Sequence, residues 1–328
     1  MPSSVTHSYF AVDVFNKLNN KSKNKIEGNV NKLKTYSLGT DPYMFYNLFI
    51  GKKNKKISNI QKINHTTKTK NYFVNMINYI INNNLENDKD IISYLYGSIC
   101  HYFLDKTIHP FIIYKTGIFN KNDKSTYKYN GLHEEMEYYI DIYMIYNREK
   151  IIPKNYKFYN DIFNANKLSI ELSKMIDDIM KETYDIDNAS SIYIKSLKDM
   201  YVFNKLFNYD KTGIKKNIYK FIDYIQPNKF VKKEELSFNV DYDKKIHYLN
   251  LDKKEWNHPC DINEIYNYSF IELYMIALNR CVNCINDIIK MIDNKKINNR
   301  IINKYFDNAS YITGKDCNDD KEIQYFEF

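Results

Sequence analysis

The chain has 328 residues, of which 44% are hydrophobic and 27% charged, with a net charge of +8 and only 8 Gly, 6 Pro and 5 Cys. This length and balance suit a soluble globular protein of one large domain or two, and an odd cysteine count argues against a disulfide framework and for a reducing compartment. The positive charge can attract phosphates or an anionic surface, but Lys, Asn, Ile and Tyr are inflated together, as codon bias in an AT-rich genome produces, and no single run concentrates the Lys residues.

Few turn formers, and 3.6-residue periodicity in Ile170 to Lys181 and Ile271 to Lys290, predict a mainly helical, all-α protein. Residues 4 to 18 read as a short amphipathic helix. Gly28 to Thr40 reads as a polar connection into the turn Gly39-Thr-Asp41-Pro42, followed by the aromatic run Tyr43 to Tyr46. The Lys-rich stretch Gly51 to Ile57 is expected as an exposed loop and Asn71 to Asn83 as a helix. Asp90 to His109 carries the clearest helical face, at Ile91, Ile92, Leu95, Ile99 and Leu104, with Pro110 as its stop. After a polar loop over 114 to 131, a second long helix is expected from Gly131 to about Tyr146. Pro153 marks the expected boundary between a core at 1–150 and a helical extension at 151–328 packed on it. In that extension 160 to 183, 188 to 208, 212 to 224 and 264 to 293 read as helices, and 226 to 262 as the least helical part. Met1 to His7 has no signal-peptide pattern, and no segment offers about 18 continuous apolar residues, so a cytoplasmic location is expected.

Histidine is rare in this chain, 7 in all, yet five fall in the first 133 residues beside carboxylates at helical spacing. A helix turns about 100° per residue, so His101, Asp105 and His109 share roughly 80° of arc, and His133 and Glu137 have the same i, i+4 relation. Neutral imidazoles with carboxylates are a donor set that zinc prefers. Upstream lie His7, Asp41 and His65.

The ordered series resembles the bacterial zinc-dependent phospholipase C family, whose fold is shared by zinc-dependent single-strand nucleases. It is carried by His7, Asp41 in Gly-Thr-Asp-Pro, His65, the His101/Asp105/His109-Pro110 helix and the His133/Glu137 helix, over roughly residues 1 to 150. The resemblance implies a multi-helix phospholipase C/nuclease-like bundle holding two or three zinc ions. Asp41, His65, His101 and Asp105 would hold one; His109, His133 and Glu137 a second; and His7, with Asp105 as a bridge, a third. It also implies Asp41 as general base and cleavage of a phosphodiester by a zinc-activated water. The substrate would be a phospholipid headgroup, with peripheral membrane contact, or a nucleotide. A nuclease or nucleotidase on the same fold, and a non-catalytic metal-binding structural protein, are the alternatives.

Two features depart from the family pattern. In well-studied secreted members the third metal also uses the processed amino terminus, which here would be the Pro2 amine after removal of Met1. The four-residue step from Asp105 to His109 is shorter than in those members, but it keeps both on one helical face. Other candidates receive plainer readings. Glu134 and Glu135 are expected as solvated or supporting residues, Asp141 as a surface carboxylate and His247 as exposed. His258 is a candidate for lining a cleft. Cys100, Cys281 and Cys284 are expected in the core, as is the aromatic run after Asp41.

Overall fold

The computed structural model describes residues 4–49, 57, 59–225, 233–239, 245–319 and 321–327. Thirteen α-helices and one two-stranded hairpin make up its regular structure among the described residues. In chain order the helices are α1 Ser4–Lys17, α2 Asn20–Asn24, α3 Val30–Tyr36, α4 Ile60–Thr66, α5 Thr69–Asn82, α6 Lys89–Thr116 and α7 Leu132–Glu149. Then follow α8 Phe158–Ile162, α9 Ile170–Tyr184, α10 Ala189–Phe203, α11 Ile214–Ile225, α12 Phe270–Asp293 and α13 Asn299–Tyr305. The hairpin pairs β1 Trp256–His258 with β2 Asp261–Tyr266 in antiparallel register. The expected Lys-rich loop at 51–56 and the Pro2 amine lie outside the described residues.

The centre of the molecule is α6. Asp88 caps its start by accepting from the backbone N–H groups of Asp90 and Ile91, and nearly every side chain along its 28 residues is buried, so it is wrapped on all sides. Helices α1, α3, α7 and α12 pack against it. The approach of α3 is set by Gly97, where an added Cβ would stand 2.5 Å from the carbonyl carbon of Tyr36. Buried apolar side chains from Val5 to Tyr311 form one contiguous core. No helix among the described residues is long and apolar enough to cross a membrane.

Several boundaries differ from the sequence reading, each for a packing reason. Pro110 does not end α6. Phe111, Ile112, Ile113 and Thr116 are all buried beyond it, and that burial outweighs the roughly 3 kcal/mol cost of an interior proline. The carbonyl that Pro110 leaves without its helical partner is that of Lys106. Gly314 lies against it, with room for no side chain: a Cβ would be 2.7 Å from that oxygen. Gly117, at φ +64°, then ends the helix. The supposed polar connection at 28 to 40 contains α3, because Leu33 and Tyr36 bury one face of it. Residues 160 to 183 are not one helix, since α8 ends at Ile162 and Ser169 caps a new start for α9. Likewise 264 to 269 belongs to the hairpin and its exit, and α12 begins only where Ser269 and Glu272 form a reciprocal capping box.

Asp90 ties three helices together. Its carboxylate accepts from Lys32 Nζ and Tyr36 Oη of α3, both at 2.8 Å, and from the backbone N–H of Ser169 at the start of α9. Burial opposes its ionisation, but the Lys32 ammonium, the Tyr36 hydroxyl and the Ser169 N–H together hold it below the usual carboxylate range. A depressed carboxylate stabilises the fold above its unfolded value of about 4 and loses that contribution as pH falls through its folded value. Asp90→Asn is therefore expected to cost about 2 kcal/mol at neutral pH. Denaturant titrations of both proteins should show the gap shrinking as pH falls below about 4.

Candidate metal centre

All eight residues singled out from the sequence converge in the interior, and four helices and one turn bring them there. His7 rides on α1, whose first N–H groups are held by Asp141 of α7. Asp141 accepts from Val5 N at 3.1 Å, from Thr6 N at 2.7 Å and from Thr6 Oγ1 at 2.7 Å. A carboxylate at a helix N-terminus satisfies donors the helix cannot pair itself. Asp141 is thus buried and structural rather than a surface carboxylate.

Asp41 opens the one-turn 3-10 helix Asp41–Phe45. Gly39, just before it, has φ +54°, and a Cβ there would be 2.4 Å from the His101 ring. Only glycine fits both demands. His65 comes from α4, His101, Asp105 and His109 from one face of α6, and His133 and Glu137 from α7.

Their polar atoms form a chain of short contacts. His7 Nε2 lies 3.1 Å from Asp105 Oδ1, and His101 Nε2 lies 3.3 Å from Asp105 Oδ2. His101 Nε2 is also 3.1 Å from His65 Nε2 and 3.7 Å from Asp41 Oδ1, which His65 Nε2 approaches to 3.5 Å. Farther along α6, His109 Nε2 is 3.4 Å and His133 Nε2 3.1 Å from Glu137 Oε1. Three sets emerge whose ligand atoms lie within 4.8 Å of one another: His7, His101 and Asp105; Asp41, His65 and His101; and His109, His133 and Glu137. Most of these residues are fully buried, and His133, 29% exposed, is the most open of them.

The surroundings aim these atoms. His101 Nδ1 donates to the Ser37 carbonyl at 3.2 Å and His109 Nδ1 to the Tyr311 carbonyl at 2.8 Å. In each ring Nε2 therefore points into the cluster. Burial pushes His65 well down and His101 down to about 3, so both stay neutral. Against the same burial, the Asp105 and Glu137 carboxylates push His109 up to about 9. Burial and the neighbouring Asp105 charge raise Asp41 well above its ordinary value, whereas Asp105, despite burial, is held far below its own by His109, His101 and His7.

The donor chemistry fits a cluster of divalent cations. His65 and His101, both neutral, bring their Nε2 atoms within 3.1 Å of each other beside the carboxylates of Asp41 and Asp105, which gathers two imidazoles and two carboxylates in one buried site. Among the described residues His7 Nδ1, Asp41 Oδ2 and Asp105 Oδ2 are buried with no hydrogen-bond partner. Nitrogen and oxygen donors of this kind are what zinc takes, and a carboxylate shared between sets, here Asp105, is how neighbouring ions are held close.

Residues 6–186 match the family profile described as zinc dependent phospholipase C, a span that holds all eight residues. The chain belongs to that family. No curated protein and no solved structure matched it.

One contributor to the phospholipase C-like centre lies far outside the matched span, in the segment Asn308 to Gly314, whose faint likeness to the family carries little weight in the sequence reading. The ring of Tyr311 stacks on His65, with centroids 4.5 Å apart, its N–H donates to the His65 carbonyl at 2.9 Å, and its carbonyl receives His109 Nδ1. Tyr311 thus grips both halves of the cluster, and its main-chain bonds look the same for any residue type. Gln61, inside the matched span, is a second residue that the sequence reading did not single out: its Nε2 lies 3.2 Å from Asp41 Oδ1 and 2.7 Å from His65 Nδ1. His258 lines a cavity with Trp256 and Tyr266 that none of the eight clustered residues lines, and both its ring nitrogens are engaged, Nε2 donating to the Thr313 carbonyl and Nδ1 accepting from Cys260 N. Cys100 and Cys281 meet in the core with sulfurs 3.8 Å apart, and Cys284 is buried beside them. Tyr43 and Phe45 are core residues, and His247 is exposed. Glu135 is not merely solvated: it accepts from Tyr248 Oη at 2.6 Å.

Tyr311→Ala is expected to weaken zinc binding about 10- to 100-fold, the range for residues that orient ligands, while Tyr311→Phe, which keeps the stacked ring, retains it. Competition against a chromophoric chelator reads both values.

Proposed function

We propose that this protein is a zinc-dependent phosphodiester hydrolase whose ligands are the eight clustered residues. In this reading Asp41, His65, His101 and Asp105 hold one ion, and His109, His133 and Glu137 a second. His7 with Asp105 holds a third. The observation that carries the reading is the position of Asp105, whose two oxygens face His7 and His101 at 3.1 and 3.3 Å and so serve two sets at once.

Bound zinc supplies Lewis acidity toward phosphate oxygens and makes water a competent nucleophile near neutral pH. The protein's own groups supply the rest. Asp41 is fixed through Oδ1 by Gln61, and its Oδ2 takes the proton of the water that attacks phosphorus in line. Leu104, Ile108, Ile140 and Phe270 line the pocket between His7 and Glu137 and shield it from bulk water. The family supports a phospholipid as substrate, with hydrolysis on the glycerol side of the phosphate.

Purified protein should release diacylglycerol from phosphatidylcholine and leave single-stranded DNA intact. The reverse pattern would assign a nuclease on the same fold. If chelation lowers the melting temperature while no phosphoester is cleaved with zinc restored, the cluster is structural. Plasma mass spectrometry should find two or three zinc per chain. Asp105→Asn should lower both zinc content and kcat/KM, the latter on the order of 10²- to 10³-fold.

A further inference from the structure

Helix α11 is built the wrong way round for a helix on a water-soluble surface. Its inward side is held by polar contacts: Tyr219 Oη donates to the Phe207 carbonyl at 3.2 Å, Lys216 Nζ to the Asn239 carbonyl at 3.0 Å, and Asp223 accepts from the Glu234 N–H at 2.9 Å. Asp210 fixes its start, accepting from Gly213 N, Lys216 N and Ser237 Oγ. The outward side carries Ile214, Ile218, Phe221 and Ile225, which fall within about 60° of arc. They are 60, 51, 63 and 54% exposed, and Tyr224 beside them is 82% exposed. A surface helix ordinarily turns such a stripe inward, and a contiguous exposed apolar stripe marks a contact surface.

Charge identifies what the stripe meets. On the helical wheel Lys215 and Lys220 border it on opposite sides. From residue 205 to 225 the sequence holds Lys205, Lys211, Lys215, Lys216 and Lys220 against Asp210 and Asp223. Asp210 is buried and committed to Gly213 N, Lys216 N and Ser237 Oγ, Asp223 accepts from Glu234 N on the inward side, and Lys220, 56% exposed, reaches Glu234 at 3.3 Å. An apolar stripe between basic borders is the chemistry of a helix lying in the headgroup layer of an anionic membrane. A second copy fits poorly, because two such stripes face to face would bring their lysine borders together.

We propose that α11 docks this protein on anionic phospholipid bilayers, with the Ile214–Ile225 stripe entering the acyl boundary and the flanking lysines meeting lipid phosphates. The helix is tied to one that carries part of the candidate metal centre: the 233–239 segment that anchors α11 packs Phe238 on Tyr138 of α7, with ring centroids 5.4 Å apart, and α7 carries His133 and Glu137. The inference extends the phospholipid reading of the site, but it is tested by binding alone, so either can fail without the other.

The experiment is cosedimentation of the full chain with vesicles of phosphatidylcholine containing about 30 mol% phosphatidylglycerol, near the anionic content of charged leaflets. Binding is expected, and it should weaken at least about tenfold in the Ile218→Ser/Phe221→Ser double variant, since each side chain gives up buried apolar area worth that factor or more. Pure phosphatidylcholine vesicles, or about 0.5 M salt, should weaken it similarly by removing or screening the charge. All the substituted side chains are exposed, so an unchanged melting temperature should accompany the loss. Absence of binding to the anionic vesicles, binding that the double variant retains, or a dimer in sedimentation equilibrium that the same substitutions dissolve would each overturn the proposal.

Discussion

A single buried carboxylate organises this molecule. Asp105 stands at the middle of the central helix with imidazoles from His7, His101 and His109 at 3.1 to 3.8 Å. An ionised carboxylate cannot be taken out of water without close compensation, since the penalty is several kcal/mol. The compensating groups come from α1 and from the turns of α6 above and below, so the position of the first helix is dictated by the charge in the centre. Asp141 repeats the logic one layer out, fixing the start of α1 with its own buried charge.

The central helix also explains why the two halves of the chain depend on each other. It must be long enough to present three side chains at four-residue intervals and still run past Pro110 into the apolar layer around Trp256, whose ring lies 5.3 Å from that of Phe111. Helix α12 lies along it, and the loop after α13 folds back over the His65 and His109 side of the cluster. The hairpin and that loop meet through His258 and Thr313.

How much of this was legible in the sequence depended on whether the information was carried by side-chain type and local spacing. The all-α class, the long helices and the convergence of the eight residues were readable because His, Asp and Glu at i, i+4 leave a pattern within a few positions. Asp141 was not, because its partners are backbone N–H groups 135 and 136 residues away, and nothing in a neighbouring stretch marks them. Tyr311 escaped for the same reason, compounded by the 32 tyrosines of the chain. Pro110 misled because local propensity sees the lost hydrogen bond and not the burial of five of the six helical residues beyond it. The exposed stripe of α11 was read as an ordinary amphipathic helix, since periodicity shows that a face is apolar but not which way it points.

The reach of Tyr311 has a consequence for how the protein is made. Its bond to His109 spans 202 residues of chain, and contacts of such separation form late because loop closure must precede them. During synthesis the histidines of α6 emerge long before the loop that orients two of the rings. The cluster is therefore assembled first as a loose set of side chains and locked only when the last segment closes. A nascent or truncated chain would expose the same side chains in unaimed form, so their mutual arrangement is a property of the finished fold rather than of the motif itself.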